Sequence, residues 1–80
     1  MFFEVRRLEL DPDSEAREET AGRFHVLNVV EGAGITIITS TGALMRLAYA
    51  ETAVVPAAVG AYAVKAWGPE KVRVAKAYVR

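Results

Sequence analysis

Short runs of strand-forming residues recur along this sequence at a spacing of about eight to twelve residues, and turn-forming residues separate them. The clearest run is ITIIT (35–39), in which isoleucine and threonine are β-branched and favour an extended backbone. The separating segments include Asp-Pro-Asp, Ser-Thr-Gly and Gly-Pro-Glu, whose residues favour chain reversal. This pattern predicts an all-β fold, a sandwich or barrel of about seven antiparallel strands.

The turn residues also set the expected limits of the strands. We expect strands at 2–10, 24–30, 35–39, 43–48, 52–55, 60–66 and 72–79. The polar segment 14–22 (SEAREETAG) has no apolar stripe, and we interpret it as an exposed loop rather than a helix. Pro56 must lie at a strand end, because proline cannot donate a hydrogen bond to a sheet. Eighty residues are enough for one domain, 1–80, and close to the lower limit for a self-sufficient core.

The charges and the absence of cysteine exclude several classes of function. Ten basic and ten acidic residues cancel. The bases of segment 65–80 are interleaved with valine, as in a half-buried strand with a solvated face, so we expect no nucleic-acid partner. The apolar segment 53–64 is interrupted by Pro56 and Gly60 and is too short to cross a bilayer of about 30 Å, so we expect no membrane partner. Without cysteine there is no disulfide and no thiolate metal site, and we expect a cytoplasmic location.

Several stretches, taken together, resemble a cupin, the small jelly-roll barrel. FHVLNVVEGAGITI (24–37) resembles the first cupin motif, and AETAVVPAAVGAYAV (50–64) resembles the second, with its strand, proline and following glycine. The ending KVRVAKAYVR (71–80) and the opening FFEVRRLEL (2–10) make the whole similar to the C-terminal β-domain of class I phosphomannose isomerase. The segment 11–22 matches least. The resemblance implies a small cupin-like jelly-roll barrel.

The same resemblance gives a place to the only histidine, His25. Counted back from Gly32, His25 stands where metal-binding cupins have a glutamate ligand, and their histidine pair would fall at 18–21, which reads Glu-Glu-Thr-Ala here. The last ligand histidine would fall at Ala61. A catalytic zinc needs about three protein ligands, which one imidazole cannot supply. We therefore expect no metal, no cofactor and no catalytic residue, and a packed or hydrogen-bonded His25 at the barrel mouth.

The remaining site candidates are contacts to a ligand. His25 and Tyr62 are the expected ligand-binding residues if the barrel holds a carbohydrate-like molecule. Tyr62 and Trp67 are interpreted as packing the small core, with stacking on a sugar face as the alternative. The Gly-Ala-Gly segment 32–34 is not a phosphate-binding loop, because no Lys-Ser/Thr pair follows it.

These observations leave more than one function open. The resemblance implies a non-catalytic module that completes or assembles a sugar-phosphate enzyme beside an adjoining zinc-cupin domain, with no mannose-6-phosphate isomerase activity of its own. The alternative is a stand-alone small cupin that binds a carbohydrate-like ligand in its barrel. An enzyme with a metal site shared across subunits is a third reading.

The size of the chain also bears on its oligomeric state. A domain this small, with neither disulfide nor metal, has a thin stability margin, and we expect a homodimer. ITIIT carries no charge or proline that would protect a strand edge, whereas Lys71, Arg73 and Lys76 would protect the last strand. The first strand, 2–10, is the candidate for exchange between subunits.

Overall fold

The computed structural model describes residues 3–79, which form two antiparallel sheets packed face to face. The strands are β1 (Phe3–Leu10), β2 (Glu15–Glu19), β3 (His25–Glu31), β4 (Gly34–Thr39), β5 (Leu44–Ala48), β6 (Thr52–Val55), β7 (Ala61–Trp67) and β8 (Val72–Val79), with a 3₁₀ turn at Ala57–Val59. The first sheet has the order β1-β8-β3-β6 and the second the order β2-β7-β4-β5. The predicted all-β fold is confirmed. Within residues 3–79, no helix is long and apolar enough to cross a membrane.

The core lies between the sheets and is built from alternate residues of each strand. The period-two alternation of a strand sends one set of side chains inward and the other set to solvent. The fully buried large side chains include Leu27, Val29, Ile35, Val64, Val72 and Val74. Burial of each such side chain stabilises the fold by about 1.5–3 kcal/mol relative to exposure.

The segment 14–22 is not the exposed loop that its polarity indicated. It contains β2, which pairs with β7 from Glu15 opposite Lys65 to Glu19 opposite Ala61. Burial along β2 alternates between exposed and half-buried. Its inward residues are alanine and glutamate, so the strand carries no apolar signal, and the number of strands rises from about seven to eight.

The turn between β3 and β4 requires a glycine. Gly32 has a φ of 96°, in the region that favours glycine. A Cβ atom there would lie 2.8 Å from the carbonyl oxygen of Lys71 and 2.8 Å from the Cα of Val72, the first residue of β8. The turn therefore packs directly on the start of the last strand, which fixes β3 and β8 as neighbours.

Trp67 is not part of the core, contrary to the expectation from its size. It lies half-buried on the outer face of the second sheet, opposite Gly34 in the β4–β7 ladder. The guanidinium of Arg46 lies 4.8 Å from the centroid of its ring. Glycine at position 34 leaves the space that the indole ring covers.

The strands at the sheet edges differ from those expected. ITIIT forms the greater part of β4, which lies inside the second sheet between β5 and β7. The charged last strand, β8, lies inside the first sheet between β1 and β3. The open edges belong to β1, β6, β2 and β5, so the edge argument for a dimer through ITIIT is wrong.

Candidate functional site

Polar side chains from both sheets meet at one end of the otherwise apolar interior. In the first sheet, β3 contributes His25 and β8 contributes Lys76, and in the second sheet β2 contributes Glu18 and β7 contributes Tyr62. The register explains the meeting, because Glu18 lies opposite Tyr62 and His25 lies opposite Tyr78. We call His25, Tyr62, Glu18 and Lys76 the mouth cluster.

His25 and Tyr62 form a buried hydrogen bond that joins the two sheets. The imidazole Nδ1 lies 2.6 Å from the phenolic oxygen, and the rings meet edge to face with centroids 5.7 Å apart. His25 is 4% exposed and Tyr62 is 3% exposed, so each satisfies a polar atom that water does not reach. Burial, and then the negative charge of Glu18, raise the pKa of Tyr62, which keeps the phenol protonated.

Glu18 and Lys76 form an ion pair that also joins the two sheets. Their side chains are only 17% and 12% exposed. The ammonium of Lys76 additionally lies 5.3 Å from the centroid of the Tyr78 ring. The ion pair therefore lies in a partly desolvated environment, where removal of either charge would leave the other without compensation.

Two members of the mouth cluster, His25 and Lys76, line a cleft of about 210 Å³. The cleft is lined by Arg6, Glu19, Thr20, Ala21, Arg23, His25, Lys76 and Tyr78. The acids at its rim already have partners, since Tyr78 donates a hydrogen bond to Glu4 and the Ala21 N–H donates to Glu19. Arg23 makes no ion pair with a carboxylate of residues 3–79.

Thr20 lines the cleft but has a structural role. Its hydroxyl donates to the carbonyl of Ala57 at 2.8 Å and accepts from the Gly60 N–H at 3.1 Å. Thr20 is 1% exposed, so these bonds hold the end of β2 to the 3₁₀ turn. The hydroxyl is satisfied by the backbone and is not a ligand contact.

Ala61, where the last ligand histidine of metal-binding cupins would fall, lies on the exposed side of β7. Ala61 points to solvent, and its neighbour Tyr62 points into the barrel. A shift of one residue along a strand moves a side chain to the opposite face. Of these two neighbours, only Tyr62 is directed toward His25.

The donors of the mouth cluster do not fit a divalent metal. No group of three or more His, Cys, Asp or Glu side chains within residues 3–79 is arranged to hold a metal ion. The inward carboxylate, Glu18, already neutralises the ammonium of Lys76, whose charge would repel a second cation. The cluster is therefore suited to hydrogen bonding and charge pairing rather than to metal ligation.

The sequence selects His25 and Tyr62 as site residues, and the structure brings them together. The sequence analysis does not select Lys76 and Glu18. A signal for Lys76 is present, because Val72, Val74 and Lys76 alternate along β8 and must share one face. The interpretation of this lysine as part of a solvated face is wrong, since its alternation with buried valines places it inside.

The environment of His25 predicts a pH-dependent stability. Burial, and then the positive charge of Lys76, lower the pKa of His25 below 6.5, while Glu18 and Glu19 oppose this shift. As pH falls through 6.5 the unfolded chain binds a proton that the folded chain does not. The free energy of unfolding should therefore fall until the folded-state pKa is reached, by about 1.4 kcal/mol for each unit of lowering.

Urea unfolding between about pH 5 and 7.5 measures this effect. Because His25 is the only histidine, the variant His25→Gln should lose this part of the pH dependence. A wild-type free energy of unfolding that rises on acidification in this window would contradict the assignment.

Comparison with known proteins shows the fold. The sequence matches no family model, and no curated protein matches it. The Schizosaccharomyces pombe Cnp3 cupin domain is similar in structure, with a TM-score of 0.80 and 18% identity over 96% of this chain and 52% of that chain. A cupin 2 conserved barrel domain protein from Salinispora arenicola gives a TM-score of 0.78 and 13% identity over 98% of this chain and 63% of that chain.

An enzyme is also among the similar structures. The polyketide cyclase RemF from Streptomyces resistomycificus gives a TM-score of 0.74 and 14% identity over 95% of this chain and 53% of that chain. The chain thus spans about half to two thirds of the length of these three solved chains. The expected cupin fold is confirmed, and these structures carry no specific indication of the C-terminal domain of phosphomannose isomerase.

Proposed function

We propose that this chain is a non-catalytic cupin-fold module that binds a small, hydroxyl-bearing anion of the sugar-phosphate class in the cleft at the barrel mouth. The observation that carries the proposal is the mouth cluster itself. Replacing a buried ion pair with well-packed apolar residues is often neutral or stabilising, so Glu18 and Lys76 are not needed to hold two sheets together. Lys76 lines an open cleft beside His25, and this position supports a role in binding.

The lining of the cleft supports this class of ligand. Arg6 and Arg23 supply positive charge, and a guanidinium presents forked donors that match a phosphate. His25 and Tyr78 supply ring donors and acceptors for hydroxyl groups. A neutral sugar would use only the second set, whereas a sugar phosphate would use both.

The pairing of the titratable groups supports binding rather than catalysis. A general base must be free to take a proton near neutral pH. His25 Nδ1 is occupied by Tyr62, the raised pKa of Tyr62 keeps its proton in place, and Glu18 is held by Lys76. Tyr62 and Glu18 thus hold His25 and Lys76, the two members of the cluster that line the cleft, in a fixed orientation.

Calorimetric titration tests the proposal with mannose 6-phosphate, mannose and inorganic phosphate as probes. We expect mannose 6-phosphate to bind at least about tenfold more tightly than mannose, because charge-assisted hydrogen bonds contribute about 1.5–3 kcal/mol. The variant Arg23→Gln should lose this advantage. Arg17→Gln is the matched control, because Arg17 lies on the outward face of β2.

The outcomes of this titration are distinct. Failure of the wild-type chain to bind mannose 6-phosphate or mannose at millimolar concentration would contradict the proposal. Conversion of mannose 6-phosphate to fructose 6-phosphate by the isolated chain would contradict its non-catalytic character. Equal weakening by the two arginine variants would place the anion outside the cleft.

A module within a larger sugar-phosphate isomerase is the second candidate. It is supported by the order of the sequence stretches that resemble the C-terminal β-domain of phosphomannose isomerase, including the ending 71–80. This candidate requires an adjoining zinc-cupin domain, and the neighbouring coding sequence tests it directly.

A further inference from the structure

The hydrogen bond between His25 and Tyr62 can run in either direction. The imidazole Nδ1 lies 2.6 Å from the phenolic oxygen, and either atom is able to carry the shared hydrogen. A neutral imidazole has one N–H, so if Nδ1 accepts a hydrogen bond, the other ring nitrogen, Nε2, carries the proton. The direction of the bond therefore determines what the imidazole presents to the cleft.

The burial of Tyr62 favours donation from the phenol to His25. Tyr62 is 3% exposed, and His25 Nδ1 is the one hydrogen-bond partner of its hydroxyl among residues 3–79. If Nδ1 were the donor, the phenolic O–H would be buried without an acceptor, which is a costly arrangement for a polar hydrogen. If the phenol donates, its hydrogen and Nδ1 are both satisfied.

The ionisable groups around the imidazole favour the same arrangement. Those that face it come from β2, β7 and β8, and they are Glu18, Glu19, Tyr62, Lys76 and Tyr78. Burial, and then the charge of Lys76, lower the pKa of His25, so a second ring proton is disfavoured at neutral pH. The pKa of Tyr62 is raised, so the phenol keeps the hydrogen that it donates.

The second ring nitrogen of His25, Nε2, reaches the cleft. It has no hydrogen-bond partner among the residues that the structure describes, yet it is not closed off from solvent. The buried side-chain atoms without a partner in this part of the chain are instead Trp67 Nε1 and Arg73 Nε. His25 is otherwise buried and lines the cleft, so Nε2 is available to a ligand there.

We infer that Tyr62 holds His25 in the tautomer that carries its proton on Nε2, so that the imidazole presents an N–H donor to an oxygen acceptor of the bound ligand. For the ligand of the proposed function, on which this step rests, a phosphate or hydroxyl oxygen accepts this hydrogen, whereas an ammonium group does not. Tyr62 does not line the cleft and acts through His25, so it is a positioning residue.

Nitrogen NMR of the imidazole tests the tautomer in the absence of ligand. At neutral pH, Nδ1 should give the chemical shift of an unprotonated nitrogen and Nε2 that of an N–H nitrogen. His25 is the only histidine, so both signals are assigned directly. The variant Tyr62→Phe removes the donor, and the two shifts should move toward each other as both tautomers become populated.

Tyr78→Phe is the matched control for removal of a phenolic hydroxyl. The ring centroid of Tyr78 lies 5.7 Å from that of His25, but its hydroxyl donates to Glu4. Both nitrogen shifts should therefore stay close to those of the wild type. Protonated Nδ1 in the wild type, or equal nitrogen shifts in the wild type and Tyr62→Phe, would overturn the assignment of Tyr62.

Calorimetric titration with mannose 6-phosphate tests the donor. His25→Gln keeps an amide N–H near the position of Nε2, whereas His25→Met has a similar length and no donor. We expect the affinity of His25→Gln to stay within about threefold of the wild type and that of His25→Met to fall at least about tenfold.

The outcomes of this titration separate the donor from the proposed function. Equal weakening by His25→Gln and His25→Met would overturn the donor role of His25 and leave ligand binding intact. Failure of the wild type to bind would contradict the proposed function, and the nitrogen shifts would still decide the role of Tyr62.

Discussion

The variant Gly34→Ala should lose at least about 3 kcal/mol of stability and melt more than about 12 °C below the wild type. A Cβ atom at position 34 would lie 2.2 Å from the carbonyl oxygen of Leu47 and 2.3 Å from Cζ2 of Trp67. The carbonyl belongs to a sheet ladder and cannot rotate away, because Gly34 is paired on both sides, with Ala48 and with Trp67. Total stability for a domain of this size is about 4–12 kcal/mol, so the loss is a large fraction of it.

Gly42→Ala separates the clash from the conformational preference of glycine. Gly42 has a φ of 89°, and a Cβ atom at this position would have no neighbouring atom within 4 Å, so alanine there costs only backbone strain, about 1 kcal/mol. Thermal melting of both variants by circular dichroism is the measurement. Equal melting temperatures for the two variants would show that the space at position 34 is not restricted by Trp67 and Leu47.

The variant Lys76→Met should lose about 2–3 kcal/mol, because it leaves the carboxylate of Glu18 without a partner in a partly dry site. The side chains of Lys76 and Glu18 are still 12% and 17% exposed, so some water reaches them. The loss of stability should therefore be smaller than for a fully buried pair. The double variant Glu18→Leu/Lys76→Met should recover most of the loss, since it removes both charges and fills the space with apolar atoms. Urea unfolding at neutral pH measures the free energy of unfolding of the wild type and of each variant.

Lys71→Met is the control for removal of a lysine. Lys71 lies 3.9 Å from Glu9 and 3.8 Å from Asp11, and its side chain is 48% exposed, so its loss should cost less than about 0.5 kcal/mol. If Lys76→Met were no less stable than Lys71→Met, the ion pair would be a surface feature. If the double variant were less stable than Lys76→Met, the charges themselves would be structural, and the reason for assigning them to ligand binding would fall.

Turn chemistry and β-branched runs are sufficient to predict most of the fold. The limits of the predicted strands 52–55 and 72–79 agree with β6 and β8. The predicted strand 2–10 agrees with β1 except for residue 2, which lies outside the described residues, and each remaining limit differs by at most one residue. β2 escapes prediction for a physical reason, since its inward side chains are Ala16 and Glu18, and a strand is recognised by apolar alternation. The partners of β4 escape prediction as well, because local sequence does not determine which strands lie at the edge of a sheet.

The candidate site is predictable to a lesser degree. His25 and Tyr62 stand out as single polar or aromatic residues in apolar strands, and the structure places their polar atoms 2.6 Å apart. Lys76 and Glu18 do not stand out in the same way, because a charged residue in an alternating strand is normally on the solvated side. Their inward orientation follows from pairing between distant segments, since Lys76 and Glu18 meet only when the two sheets pack.

The proposal that the barrel mouth binds a ligand is tested most directly by nuclear magnetic resonance of His25. It is the only histidine, so its imidazole signals are assigned without ambiguity and report from the base of the cleft. On titration with mannose 6-phosphate, the His25 signals should shift and saturate, together with the backbone amides of Arg23 and Lys76. Signals that stay unchanged for His25 up to millimolar ligand, with or without shifts on the outer faces of the sheets, would contradict the proposed site.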